Sequence, residues 1–215
     1  MSRIKGAYKR VVYGGLILGI LIFLFPPLVG EGYFTMRSML SGPTEQLLQP
    51  SVFGNIQDNS GLFLIVFLFL VLFFKAIATS LTTGAGGIGG VFAPSLFMGG
   101  ISGFILSRLI NTFSGFRVSE FNFTLVGMAG LIAGVIHAPL TAIFLIAEIT
   151  GGYQLFIPLI ITASISYLTV VYFQPHSLYT KKLAQKGELI THHKDQAVLT
   201  LLNIESVIEN NLNTV

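Results

Sequence analysis

Thirteen consecutive residues at positions 62–74, LFLIVFLFLVLFF, are drawn only from Leu, Phe, Ile and Val, and they constrain this chain more than any other feature. With the stretch from Lys75 to about Leu81 they form one apolar segment, long enough to cross roughly 30 Å of hydrocarbon as a helix. Only 10% of the 215 residues are charged, 53% are hydrophobic and the mean hydropathy is +0.79. A soluble domain carries about a quarter charged residues, so the composition implies lipid as the solvent. The absence of cysteine excludes disulfides, thiolate metal sites and cysteine nucleophiles together. The net charge of +3 is small, and Lys and Arg gather near the chain ends instead of on one basic face. Nucleic-acid binding has no support.

The sequence predicts an all-α, polytopic membrane helix bundle. Its first apolar segment runs from about Val11 to Val29, after Arg3, Lys5, Lys9 and Arg10. The run continues through Pro26 and Pro27 without a small-residue cleavage site, so it reads as a retained membrane segment and not a signal peptide. The basic flank places that end in the cytoplasm, and the net-negative stretch from about Glu31 to Ser60 is expected to face outward. Lys75 is expected in the last, inward-facing turns of the second segment, free to snorkel to the interface. A third helix is predicted over Val91–Ile110 and a fourth over about Phe121–Ile136, with a polar link from Asn111 to Glu120. In HAPLTAIFLIAEITGG, His137 and Pro139 break the apolar pattern and predict two antiparallel helices, the second short, joined by a tight turn at Ala138. A further helix covers about Tyr153–Phe173, and Lys181, Lys182 and Lys186 then mark the cytoplasm again.

Six crossings, beginning near 11, 62, 91, 121, 139 and 153, are consistent with both termini being cytoplasmic. Glycine pairs at helix-packing spacing, Gly15 with Gly19, Gly99 with Gly103 and Gly130 with Gly134, are expected at close helix contacts. After Gly187 the composition turns polar. The segment 188–215 reads as a soluble linker followed by a short amphipathic start that cannot bury a core alone.

GAGGIGGVFAPS, residues 84–95, contains the G-x-G-x-x-G spacing of a dinucleotide-binding turn at Gly84, Gly86 and Gly89. That motif needs a short strand before it and an acidic residue about twenty positions on. Here a membrane-length helix precedes it, and Phe104–Ile110 holds no Asp or Glu. The context argues against a nucleotide and against a soluble oxidoreductase. The physics of the turn remains, because a helix starting at about Phe92, with Pro94 in its first turn, presents free amides and its positive dipole end to whatever precedes it. Non-helical backbone at membrane depth is tolerated where it lines a cavity or is buried in protein. The motif alone leaves two readings open: an anion site, or glycines that only permit close packing and a tight turn.

GGVFAPS resembles the G-x-F-x-P signature of the CLC chloride channel and anion/proton exchanger family, carried here by Gly90, Phe92 and Pro94. GMAGLIAGVIHAPLTAIFLIAEITGGYQLFIPLIIT is similar to that family's next three helices, and HSLYTKK to its inner helix with the pore tyrosine. The resemblance covers about Lys5 to Gly187. It implies that the amides of Val91 and Phe92 hold a central chloride, that Gly89, Gly90, Ala93 and Pro94 shape the loop and helix start, and that Tyr179 adds its hydroxyl from the inner side. It also implies transported chloride, with protons in exchangers, a lipid bilayer, and a homodimer formed through helices near 139–149 and 154–173. Glu148, near a helix end, is not the family's gating glutamate, and His137 and Lys75 are expected as inner-interface residues.

The family's first-repeat motifs, a G-S-G-I-P stretch and a G-[RK]-E-G-P stretch with the gating glutamate, do not occur in this sequence. The chain therefore resembles the second inverted repeat over 1–187. Its tail at 188–215 resembles the approach to a truncated regulatory region of CBS type. The function implied is passive or proton-coupled anion transport, with no enzymatic step, cofactor or metal; His192 and His193 are adjacent linker residues without ligand spacing. The alternative is a non-conducting membrane fragment or half-protein that needs the first repeat or a partner.

Overall fold

The structure, a computed structural model, describes residues 6–41, 51 and 61–186. Among them every regular element is helical: α1 (Ala7–Leu24), a 3-10 turn (Pro26–Leu28), α2 (Tyr33–Ser41), α3 (Leu62–Ala85), α4 (Phe92–Phe113), α5 (Glu120–Ile136), α6 (Pro139–Thr150), α7 (Phe156–Phe173) and α8 (Lys181–Gln185). The chain divides into two compact units, Met1–Pro175 and His176–Val215. Arg3, Lys5, most of the 42–60 stretch, and the linker expected over 188–215 with His192 and His193 lie outside the described residues.

Helices α3, α4 and α7 are long and apolar enough to cross a membrane. With 12 residues α6 spans about 18 Å at 1.5 Å per residue, short of the hydrocarbon thickness. Of the six expected crossings, the one beginning near 139 is therefore too short to cross alone. Pro139 at its first position and Gly151 after its last residue fix both ends. His137 and Ala138 alone join α5 to α6, as the sequence predicted for this turn, and His137 takes the left-handed backbone conformation with φ of 62°.

The first apolar segment is not one helix. Helix α1 stops at Leu24 because Pro26 and Pro27 fix φ and lack the amide donors that another helical turn requires; a 3-10 turn follows. The stretch expected as an outward loop then begins with α2, which buries Thr35, Met36, Ser38 and Met39 and packs on α4 and α5. Its nine residues carry Arg37 and four hydroxyl side chains, so no apolar run announced it.

The core is built on α4 and α5. Phe97, Ile101 and Phe104 recur at helical spacing on one face of α4, and Leu125, Met128 and Ile132 do so on α5; all six are buried. Between membrane helices such contacts stabilise through close packing, because lipid is as apolar as leucine. Small residues set the approach: a Cβ on Gly99 would meet the Gly127 carbonyl, a Cβ on Gly103 the Phe123 carbonyl, and a Cβ on Gly127 the Gly99 carbonyl. Gly130 and Gly134 face α7 at Thr162 and Ser166, and the Ser166 hydroxyl donates to the Gly130 carbonyl at 2.6 Å. Gly15 and Gly19 correct the third packing expectation, since each meets open space. Helix α1 turns Leu21 and Ile22 toward the core instead.

Between α4 and α5, Asn111 closes the polar link with two hydrogen bonds: its amide donates to the Val118 carbonyl at 3.1 Å, and its carbonyl accepts from the Val118 amide at 2.7 Å. Ser119 caps α5 by accepting from the Asn122 amide, and Arg108 pairs with Glu120 at 2.8 Å. These local contacts fix the return of the chain, and with it the position of the α4 start at the other end of the helix.

Candidate anion-binding site

Helix α3 ends on Gly86, whose φ of 97° is open to glycine and strained for other residues. The Gly86 amide donates to the Thr83 carbonyl at 3.2 Å and the Gly87 amide to the Thr82 carbonyl at 2.9 Å. Gly84 lies inside this 24-residue helix, so the dinucleotide-like spacing straddles a helix end and has no strand before it. Residues 87–90 form no regular element, and α4 opens at Phe92 with Val91 as its N-cap residue.

No side chain caps α4. Ser95, the hydroxyl nearest to hand, turns backward: its Oγ donates to the Val91 carbonyl at 2.6 Å, and its amide donates to the same oxygen at 3.0 Å. Pro94 carries no amide hydrogen. The amides of Phe92 and Ala93 therefore project from the helix start with no intrahelical acceptor, at the positive end of the dipole.

That helix start borders two cavities. The first, of about 520 Å³, is lined by Gly89, Gly90, Phe92, Ala93 and Pro94 on one wall, by Lys75, Thr79, Thr82 and Thr83 of α3, and by Gly30 and Glu31 after the 3-10 turn. The second, of about 560 Å³, is lined by Phe92 and Ala93 again, with Glu31, Tyr33 and Arg37 near α2 and Met128 and Ile149 beyond. Phe92 and Ala93 thus stand between two open volumes. The structure brings Gly89, Gly90, Phe92, Ala93 and Pro94 to one cavity wall; Val91, the N-cap residue of α4, is not among the residues that line it.

Tyr179 belongs to the second compact unit, in the turn before α8. Ser177 organises that turn: its hydroxyl accepts from the Thr180 amide at 3.3 Å, and its carbonyl accepts from the Lys181 amide at 2.9 Å. The Tyr179 side chain is half exposed. Glu148 is exposed near the end of α6, as the sequence reading had it. His137 caps α5 and sets its ring edge-on to Tyr167 at 5.7 Å.

Lys75 departs from expectation. It is 2% exposed and does not snorkel; its Nζ donates to the carbonyls of Leu28 at 3.1 Å and Gly30 at 2.7 Å. The same ammonium lies 4.7 Å from the centre of the Phe97 ring, a cation–π contact. The carbonyls it binds are 47 and 45 residues away in sequence, freed by the break after α1, so no local pattern pointed to them. The signal available was a single lysine in an otherwise apolar run.

Comparison with known proteins gives a consistent relationship. The family model described as voltage gated chloride channel matches residues 2–171. The chain is 30% identical over 197 residues to a ClcB-like chloride channel protein of Ralstonia nicotianae, covering 87% of this chain and 42% of that protein. It is 32% identical over 177 residues to the voltage-gated ClC-type chloride channel ClcB of Escherichia coli, covering 82% of this chain and 38% of that protein. The crystal structure of a slow cyanobacterial Cl−/H+ antiporter shares the fold at a TM-score of 0.51 and 22% identity, over 86% of this chain and 48% of that one. The chain spans less than half the length of each of these relatives. With its apolar helices, its glycine-led α4 start and a family match over residues 2–171, this chain is an integral membrane protein of the voltage-gated chloride channel family.

Proposed function

We propose that this chain supplies an anion site for chloride transport, in which the amides of Val91 and Phe92 and the hydroxyl of Tyr179 hold the ion. The observation that carries the proposal is an uncapped helix start whose first turn lines two cavities. Backbone amides and the positive dipole end attract a negative charge, and Gly89 and Gly90 leave the approach free of side chains. A bare halide suits such a site because amide dipoles replace part of its hydration without locking it against a full charge. Ala93 and Pro94 complete the first turn. Transport requires no bond making or breaking, so no catalytic residue, cofactor or metal is assigned.

The curated relatives are named as chloride channels and the structural neighbour as a chloride–proton antiporter, and the proposal includes both modes. Exposed Leu140, Phe144 and Ile149 on α6, with Ile157, Ile161 and Ile165 on α7, support a homodimer contact through these two helices. Lys9 and Arg10 at one end and Lys181, Lys182 and Lys186 at the other support cytoplasmic termini.

Tyr179→Ala is expected to weaken chloride binding by about 1.5 to 3 kcal/mol, the range for a hydrogen bond to a charged group, with the helical content unchanged. Calorimetric titration with chloride reads this directly, and equal affinity in the two proteins would remove Tyr179 from the site. A second reading is favoured by the share of the relatives that this chain covers, 42% and 38%: a membrane half-protein that conducts only with a first repeat or partner. Chloride efflux from liposomes containing the purified chain separates the two. Flux above empty liposomes supports a path formed by this chain alone, and flux only on adding the missing repeat supports the half-protein.

A further inference from the structure

We propose that Lys75 is the fixed cation of the anion site, a charge in the wall of the cavity that Gly89, Gly90 and Phe92 line, and that Glu31 opposes it there. This rests on the reading of the α4 start as an anion site.

A buried ammonium is costly unless its donors are satisfied, and here two carbonyls and an aromatic face compensate it. All of these partners leave the net charge in place, because carbonyl groups and a phenyl ring are neutral. The charge therefore acts on the cavity. Among the described residues, Lys75 and Glu31 are the only charged ones lining that cavity, and Glu31 lies within electrostatic reach of Lys75. The two differ in setting: Lys75 is buried, whereas Glu31 is exposed, so water screens the carboxylate more than the ammonium. The balance at the cavity wall is positive. With the ammonium engaged by the carbonyls of Leu28 and Gly30, the charge draws a halide toward the amides without becoming its contact partner.

The same contacts also tie the segment after α1 onto α4. Gly32 lies against the Phe97 side chain, where a Cβ would collide with it, and Lys75 sits over that ring as well. A purely structural lysine would hold this junction together and leave anion affinity insensitive to Glu31. The test therefore uses charge at both positions.

Chloride affinity is measured by calorimetry on the purified chain and on Lys75→Met, Lys75→Arg and Glu31→Gln, each with its thermal unfolding recorded. The expected result is an affinity about tenfold lower in Lys75→Met, within a few-fold of wild type in Lys75→Arg, and about two- to threefold higher in Glu31→Gln. Measurable binding by the wild type with the same affinity in Lys75→Met and Glu31→Gln would overturn this proposal and leave the α4 site standing. If Lys75→Met does not fold, Glu31→Gln decides alone: higher affinity supports the proposal and unchanged affinity overturns it. Absence of chloride binding by the wild type would overturn the α4 site, and the role of Lys75 with it.

Discussion

Replacing Gly127 by valine is expected to destabilise the bundle by at least about 3 kcal/mol, the upper range for overpacking a close contact. A Cβ at Gly127 would run into the carbonyl of Gly99 and lie 3.0 Å from the Gly103 backbone. The obstacle is main chain, which cannot rotate away as a side chain does. The only relief is separation of α4 from α5, and that would unpack Phe97, Ile101 and Phe104 from Leu125, Met128 and Ile132. Thermal unfolding in detergent, followed by circular dichroism, reads the loss. Gly15→Val is the matched control: nothing lies within 4 Å of a Cβ there, so its melting temperature is expected to stay near that of the wild type. Equal melting of Gly127→Val and wild type would refute the close α4–α5 seam.

Phe92→Glu is expected to remove chloride binding while leaving the fold intact. A carboxylate in the first turn of α4 is favourable to the helix by about 0.3 to 1 kcal/mol, because it meets the positive dipole end. The same charge occupies the place proposed for the anion. At about 5 Å and an effective dielectric of about 20, repulsion between the two charges lowers affinity on the order of a hundredfold or more. Phe92 is 38% exposed, so the new side chain has room to point into either cavity. Calorimetry and thermal melting on one sample separate the outcomes: lost binding with an unchanged or higher melting temperature fits the site, whereas chloride affinity equal to wild type would place the ion elsewhere.

Most of the helices were legible because their apolar runs are long and end on strong signals. Helix α4 starts at Phe92, one residue after the predicted boundary, and α5 ends on Ile136 as expected. The turn at His137 and Ala138 was visible because Pro139 forbids a continuous helix there. The end of α1 was equally marked by Pro26 and Pro27, yet the surrounding hydrophobicity carried the sequence reading past them. Helix α2 escaped because its buried face is made of two methionines, a serine and a threonine, not a long apolar stripe.

At the candidate site the glycine stretch and the helix start were readable from local sequence, whereas the setting of Lys75 was not. A lysine within an apolar segment fits either an interface or a buried role, and the choice depends on carbonyls released where helix α1 ends, 45 residues upstream. The helix contacts show the same limit. Gly15 with Gly19 and Gly99 with Gly103 have identical spacing, and only the second pair meets a neighbouring backbone. Spacing identifies a surface that permits close approach; the partner that uses it comes from the tertiary fold.

The most direct measurement is anomalous diffraction from crystals of the chain grown in bromide. The account predicts a bromide peak within hydrogen-bond distance of the Val91 and Phe92 amides, on the cavity side of the α4 start. Bromide peaks confined to other positions, with none at those amides, would contradict it.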